Sequence, residues 1–158
     1  VDFFISTFRN RIDAKGRVSV PASFRALLTR QGPEGGVYLA PDVAAAATHD
    51  SRVLIGGGSA YLASLHEQIA QVPEFSAARE NLELSLLSEL VMANFDPEGR
   101  IVLPADLLRQ AGLDAPGEAV FVGRGNKFQI WEPKAWAARL ADARAGTIDR
   151  FRTMGGAK

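Results

Sequence analysis

The sequence predicts an α+β, β-rich fold built from a duplicated unit, and three observations predict it. A ten-residue segment recurs: Asp13-Ala-Lys-Gly-Arg17-Val-Ser-Val-Pro21-Ala22 aligns with Asp96-Pro-Glu-Gly-Arg100-Ile-Val-Leu-Pro104-Ala105, with five identities at an offset of 83 residues. Each copy continues with the same physics, from an apolar residue (Ile12, Phe95) through a turn into alternating apolar positions (Val18/Val20, Ile101/Leu103). The composition, 47% apolar and 23% charged in 158 residues, is that of a globular chain long enough for one ordinary domain or two small ones. Such a length buries about 70% of its unfolded surface, so a core forms without staples.

Each Asp-x-x-Gly-Arg stretch reads as a tight turn feeding a strand. In the first copy Asp13 accepts from turn N–H groups, and Gly16 supplies the positive φ that closes the turn. Pro21 and Pro104 then open helices at their first position, where a missing N–H costs nothing. The apolar spacing Phe24, Leu27, Leu28 and Leu107, Leu108, Ala111 continues these helices, with Gly32 and Gly112 as stops. Val120 to Gly123 and Phe128 to Trp131 flank Arg124-Gly125-Asn126-Lys127 as a hairpin. Val37 to Ala40 and Arg52 to Ile55 are the equivalent strands of the first half, separated by a longer connection. Further helices are predicted over 60–72, 77–92 and 134–145, the second capped by Ser76 with Leu82, Leu86 and Leu90 at four-residue spacing. A β-rich unit of about 45 residues needs a partner to cover its core, which duplication and self-association both provide.

The absence of Cys excludes disulfides, thiolate zinc sites and cysteine nucleophiles, and two histidines leave little for a histidine metal site. No apolar run approaches the roughly 20 residues of a membrane span, and Val1-Asp2-Phe3-Phe4 does not read as a secretory signal. A reducing cytosol is the expected setting. Net charge is zero, yet residues 1–31 carry six basic and two acidic groups, 32–120 four and thirteen, and 121–158 eight and three. Such segregation is what a local polyanion site requires.

Arg9, Arg11, Lys15 and Arg17 alternate along the first hairpin, so several project from one face. A two-stranded ribbon fits the major groove of B-DNA, arginine reads guanine bidentately, and lysine neutralises phosphate. In the second copy Glu98 replaces Lys15 and only Arg100 remains basic, so the first turn is expected to dominate. A purely structural role, a capped turn with an Asp–Arg pair, is an equal reading of Asp13 and Asp96. Acid–base catalysis by these two carboxylates is disfavoured, because an adjacent arginine depresses the pKa.

Gly56-Gly57-Gly58-Ser59 lacks the lysine and spacing of a phosphate-binding loop and reads as a flexible lead into a helix capped by Ser59. His49 and His66 read as solvated. Trp131, Trp136 and Leu140 read as core at the hairpin–helix junction. Arg139, Arg144, Arg150, Arg152 and Lys158 read as a solvated helix face and a frayed tail; contact with DNA or a neighbouring subunit is the alternative.

The two Asp-x-x-Gly-Arg motifs, with Val122-Gly-Arg-Gly-Asn-Lys127-Phe-Gln-Ile-Trp131-Glu132, resemble the MraZ family of bacterial transcriptional regulators over almost the whole chain. The resemblance implies two tandem AbrB-like (SpoVT-AbrB, double-ψ or swapped-hairpin) β units with added helices: a first repeat over 7–54, a helical connection over 55–89, a second repeat over 90–133, and a C-terminal helix and tail over 134–158. It further implies a ring-like homo-oligomer, cytoplasmic and nucleoid-associated. Such a ring binds repeated boxes in double-stranded promoter DNA upstream of the division and cell-wall gene cluster, usually as a repressor. No enzymatic activity, cofactor, metal, membrane or small-molecule substrate is expected. Arg17, Lys15, Arg11, Arg9 and Arg100 are the candidate DNA contacts, with Arg17 foremost. Asp13, Gly16, Pro21, Asp96, Gly99 and Pro104 shape the elements that present them. An AbrB-fold assembly or antitoxin-like interaction module, gripping an acidic partner, is the alternative.

Overall fold

Eight strands form one antiparallel sheet whose order interleaves the two repeats. In the computed structural model, which describes residues 2–32 and 36–156, these are β1 (Thr7–Ile12), β2 (Arg17–Ser19), β3 (Val37–Pro41), β4 (Leu54–Gly57), β5 (Val91–Ala93), β6 (Arg100–Val102), β7 (Gly117–Gly123) and β8 (Phe128–Trp131). The sheet runs β5-β3-β4-β8-β7-β1-β2-β6. Its two end strands, β5 and β6, are joined by a hairpin turn in which Asp96 N–H donates to the Arg100 carbonyl at 2.8 Å. The result is a near-closed barrel, as the α+β, β-rich reading expects. Strands are exchanged between repeats: β1 of the first lies along β7 of the second, from Thr7↔Val122 to Ile12↔Gly117. Likewise β5 of the second lies along β3 of the first.

Alternation along the strands sorts side chains to two faces. Ile12, Val18, Ile101, Phe121 and Phe128 point inward and, with Phe4, Phe24, Leu28 and Leu39, fill the main core. Five phenylalanines meet edge-on or tilted: Phe24 has its ring centroid 5.1 Å from Phe4, 5.5 Å from Phe8 and 5.2 Å from Phe128, while Phe121 lies 6.0 Å from Phe128. Each such pair adds about 0.5–1.5 kcal/mol beyond area burial. A smaller cluster on the outer face joins Val120, Val122 and Trp131 to Ala45, Val53 and Trp136. There the buried Asp42 carboxylate accepts from Ala45 N–H at 3.0 Å and from Gln129 Nε2 at 2.7 Å, and Gln129 Oε1 accepts from Trp131 Nε1 at 2.9 Å. Every polar atom of that chain is thereby satisfied, as burial demands.

Among the described residues six α-helices decorate the sheet: α1 (Ala22–Gln31), α2 (Val43–His49), α3 (Ser59–Ala70), α4 (Ala77–Leu82), α5 (Ala105–Gln110) and α6 (Pro133–Gly156). Several expectations need correction. Pro21 and Pro104 stand one residue before the first helical residue, at the N-cap. The 60–72 helix ends at Ala70, and the helix expected over 77–92 stops at Leu87 after a π-turn, Glu83–Leu87, because Val91–Ala93 is taken by β5. The connection containing His49 holds α2, and the strand expected over 52–55 is shifted to 54–57. The glycine triplet is not a flexible lead: Gly56 and Gly57 lie in β4, where a Cβ on Gly56 would stand 2.8 Å from Phe128 Cζ. Gly58, not Ser59, takes the N-cap position, and Ser59 Oγ donates to the Gln31 carbonyl at 2.8 Å. α6 extends well past 145, so Arg150 and Arg152 lie on an exposed helix rather than a frayed tail. Lys158 lies outside the described residues. Trp131 is buried, while Trp136 and Leu140 are half-buried.

Candidate nucleic-acid interface

The repeated turns are held by one carboxylate each. Asp13 N–H donates to the Arg17 carbonyl at 2.9 Å and Gly16 N–H to the Asp13 carbonyl at 3.0 Å, which closes the loop. Asp13 Oδ1 accepts from the backbone N–H of Lys15 at 3.0 Å and of Arg17 at 2.8 Å, and Oδ2 accepts from Arg17 Nε at 2.5 Å. The second turn repeats this set: Asp96 Oδ1 takes Glu98 N–H at 2.9 Å and Arg100 N–H at 2.8 Å, and Oδ2 takes Arg100 Nε at 2.8 Å. Gly16 and Gly99 stand at φ +80° and +79°, a region that only glycine adopts freely. A Cβ on Gly16 would also lie 2.9 Å from the Leu103 carbonyl oxygen.

These bonds fix the charge state. The Arg17 backbone N–H, then its guanidinium, hold the Asp13 carboxyl below the usual carboxylate range against the opposing effect of partial burial. Asp96 is lowered in the same way, led by the Arg100 backbone N–H, and Arg100 is raised chiefly by its bond to Asp96. A carboxylate locked in its ionised form by three donors is no general acid.

The turns lie side by side. β2 pairs with β6 as Arg17↔Val102, Val18↔Ile101 and Ser19↔Arg100. With Val18 and Ile101 pointing inward, both arginines project outward at diagonal positions, which in such a ladder lie about 7–8 Å apart, with Cβ atoms somewhat closer. Cross-bonds mirror each other: Val20 N–H donates to the Gly99 carbonyl at 3.2 Å, and Leu103 N–H to the Gly16 carbonyl at 2.8 Å. A depression of ≈ 400 Å³ is lined by Arg11, Arg17, Ser19, Arg100 and Pro116 beside Asp13. Three of the five candidate cations therefore converge.

The other two differ. Lys15 is exposed at the tip of the first turn, and among the described residues its ammonium has no acidic partner. Arg9 faces outward from β1 like Arg11, but its Nε is 2.5 Å from Glu118 Oε2, so its charge is partly spoken for. Among the described residues the terminal nitrogens of Arg17 make no hydrogen bond, whereas Arg100 also donates through Nη2 to Glu98 at 3.4 Å. Two residues escaped the sequence reading. Glu118 restrains Arg9 across a strand pairing that no local pattern reveals. Arg25 of α1 packs over the second turn, 2.6 Å from where a Gly99 Cβ would be, and donates to the Val20 carbonyl at 2.9 Å. The repeat offset did hold a signal: Leu108, the counterpart of Arg25, lies under Gly16 in the same way.

The MraZ family, described as "MraZ protein, putative antitoxin-like", matches residues 86–155. Full-length similarity extends further. A protein of Azorhizobium caulinodans named "Transcriptional regulator MraZ" is 39% identical over 155 residues, covering 98% of this chain and 93% of that one. Proteins of the same name from Beijerinckia indica subsp. indica and Rickettsia bellii are 40% and 34% identical over 144 residues each, with 91% and 90% of this chain covered and 82% and 90% of theirs. At that identity over nearly the entire length, with both Asp-x-x-Gly-Arg turns folded as one paired element, the chain belongs to the MraZ family.

Proposed function

We propose that this protein is a sequence-specific, DNA-binding transcriptional regulator that reads promoter DNA through the β1–β2 hairpin. The observation that carries the reading is the convergence of Arg11, Arg17 and Arg100 on one outward depression, with Lys15 at the adjacent tip. The Asp13 bond to Nε orients the Arg17 guanidinium and leaves its terminal nitrogens as a planar fork, the geometry that meets guanine O6 and N7 or a phosphate. Lys15 and Arg11 supply phosphate neutralisation. Each chain offers few such contacts, so useful affinity comes from several copies engaging adjacent boxes, as a homo-oligomeric ring does. Following the family resemblance, the target is the repeated box upstream of the division and cell-wall gene cluster, read as a repressor on the nucleoid in the cytoplasm.

Fluorescence anisotropy with that upstream duplex and a scrambled duplex, over a salt series, tests the reading. Wild type prefers the native duplex with a steep salt slope, and Arg17→Ala abolishes the preference while the assembly persists. Equal, weak binding to both duplexes that is indifferent to Arg17 sinks it and favours the antitoxin-like module, in which the basic face grips an acidic protein.

A further inference from the structure

Phe75 is 98% exposed and sits at φ +66°, a conformation that a bulky residue adopts only under strain. The loop that holds it is fixed on both sides. Ser76 N–H and Oγ both donate to the Pro73 carbonyl, at 3.2 and 2.5 Å, and Ser76 Oγ accepts from Arg79 N–H at 3.2 Å as the cap of α4. The chain thus spends backbone strain to present a phenyl ring to solvent, with the exposed Glu74 carboxylate beside it. Among the described residues of one copy nothing covers that ring. An aromatic side chain that fills a pocket on a partner is a common interface anchor.

A matching socket lies elsewhere on the same chain. Between α2, α6 and the β7–β8 hairpin is a cavity of ≈ 440 Å³ whose apolar wall includes Trp131, Trp136 and Val122. The two indoles stand 5.6 Å apart, at the edge of the outer hydrophobic cluster. Arg124, Arg139 and His49 also line it, with Arg139 Nη2 3.0 Å from His49 Nε2. Among the described residues the Arg124 guanidinium has no ion pair. An apolar wall with a cationic rim complements a phenyl ring flanked by a carboxylate, and arginine adds attraction to the ring face.

We infer that Phe75 and Glu74 of one copy dock into the Trp131/Trp136 socket of a second copy, with Glu74 against Arg139 or Arg124. Phe75 does not occupy its own socket. The contact is therefore head-to-tail: each copy keeps one free knob and one free socket, and repetition closes a ring or extends a filament. The inference rests on the homo-oligomer of the preceding reading and gives it a specific contact.

Light scattering coupled to size-exclusion chromatography, with circular dichroism to check folding, tests it on the full chain. Phe75→Asp removes the knob, and Ala143→Trp, on the α6 wall of the cavity, fills the socket. Each variant alone is expected to fall to a lower mass than wild type. A 1:1 mixture retains one intact knob–socket pair and recovers a species larger than either alone. As a second route that leaves the cavity unfilled, Glu74→Arg and Arg139→Glu each lower the mass, and both in one chain restore it. Variants that keep the wild-type mass overturn this contact while the oligomer stands, and so does a mixture that recovers nothing. A monomeric wild type overturns the oligomer and the contact together, while DNA binding by Arg17 is judged separately by anisotropy.

Discussion

Val18 and Ile101, the same position in the two repeats, pair with each other across β2 and β6, and both are fully buried. A pseudo-twofold axis therefore passes between them. It relates Arg17 to Arg100, the Gly16 carbonyl to the Gly99 carbonyl, and β1 on β7 to β5 on β3. The backbone around this axis is symmetric and the charge is not. Lys15 and Arg11 accompany the first turn, whereas Glu98 accompanies the second. On the proposed function, a near-symmetric scaffold with one cationic half would bind DNA in a preferred direction.

On the proposed function, Glu98 is expected to act as a brake on the second turn. It draws Arg100 Nη2 at 3.4 Å and projects a negative charge where the first turn has Lys15. Glu98→Lys is expected to raise affinity for duplex DNA and to steepen the slope of log K against log salt by about 0.9 for one added phosphate contact. The gain should appear on scrambled duplex as well, because phosphate contacts carry no sequence information. Unchanged affinity and slope mean that the second turn never approaches the backbone.

Arg9 and Arg11 are alike in sequence and unlike in the fold. Both face outward from β1, but Glu118 pairs with Arg9 and leaves Arg11 to line the depression with Arg17. Arg11→Ala is expected to weaken DNA binding more than Arg9→Ala does. Glu118→Gln releases Arg9 and should strengthen binding, an effect that fades above the salt concentration at which exposed charges are screened. Anisotropy titrations of the three variants at low and high salt decide the ranking; equal losses for Arg9→Ala and Arg11→Ala contradict it.

What could be read from the sequence was local. Turn chemistry at Asp13-Ala-Lys-Gly-Arg17, the hairpin around Arg124-Gly125-Asn126-Lys127 and the cap at Ser76 are each decided within a few residues, and the structure contains them. Strand exchange is decided by which face must be buried against which distant partner, so nothing near Thr7–Ile12 names Gly117–Gly123 as its neighbour. The same competition cut short the 77–92 helix: Leu90 fits the four-residue spacing, but pairing Val91–Ala93 with β3 satisfies both backbones there. Of the candidate site, the arginines and the Asp–Arg bonds were legible. Their convergence was not, because it depends on the β2–β6 register, which no local pattern in either repeat specifies.

Phe24 joins the helical layer to the barrel. Its ring lies within 5.5 Å, centroid to centroid, of Phe4, Phe8 and Phe128, and it is 1% exposed. Phe24→Ala leaves a cavity among aromatic rings that cannot all collapse, at a cost of about 3–5 kcal/mol. Urea unfolding followed by tryptophan fluorescence should show a midpoint lowered accordingly with little change in slope. Because α1 also carries Arg25 to the second turn, the variant should loosen that turn before it disturbs the first, which rests on Leu108 of α5. Amide hydrogen exchange at Gly99 against Gly16 reads that order.

The two turn aspartates are expected to make the stability of the scaffold depend on pH in the acid range. Each has its folded-state pKa lowered, foremost by a backbone N–H of the paired arginine, relative to the ordinary aspartate value of about 3.9. A lowered folded pKa means the unfolded chain binds more protons in the window between the two values. The stabilisation is therefore complete above the unfolded value and is lost as pH falls through the folded one. Asp13→Asn and Asp96→Asn keep the shape and an acceptor oxygen but give up the charge. Both should be less stable than wild type at pH 7, and the gap should narrow below about pH 4, where wild type loses the same charge. Urea midpoints at pH 7 and at steps from 4.5 to 2 measure the gap. A constant difference at every pH would show that the charge of these carboxylates is not what holds the turns, and that their hydrogen-bond geometry alone does so.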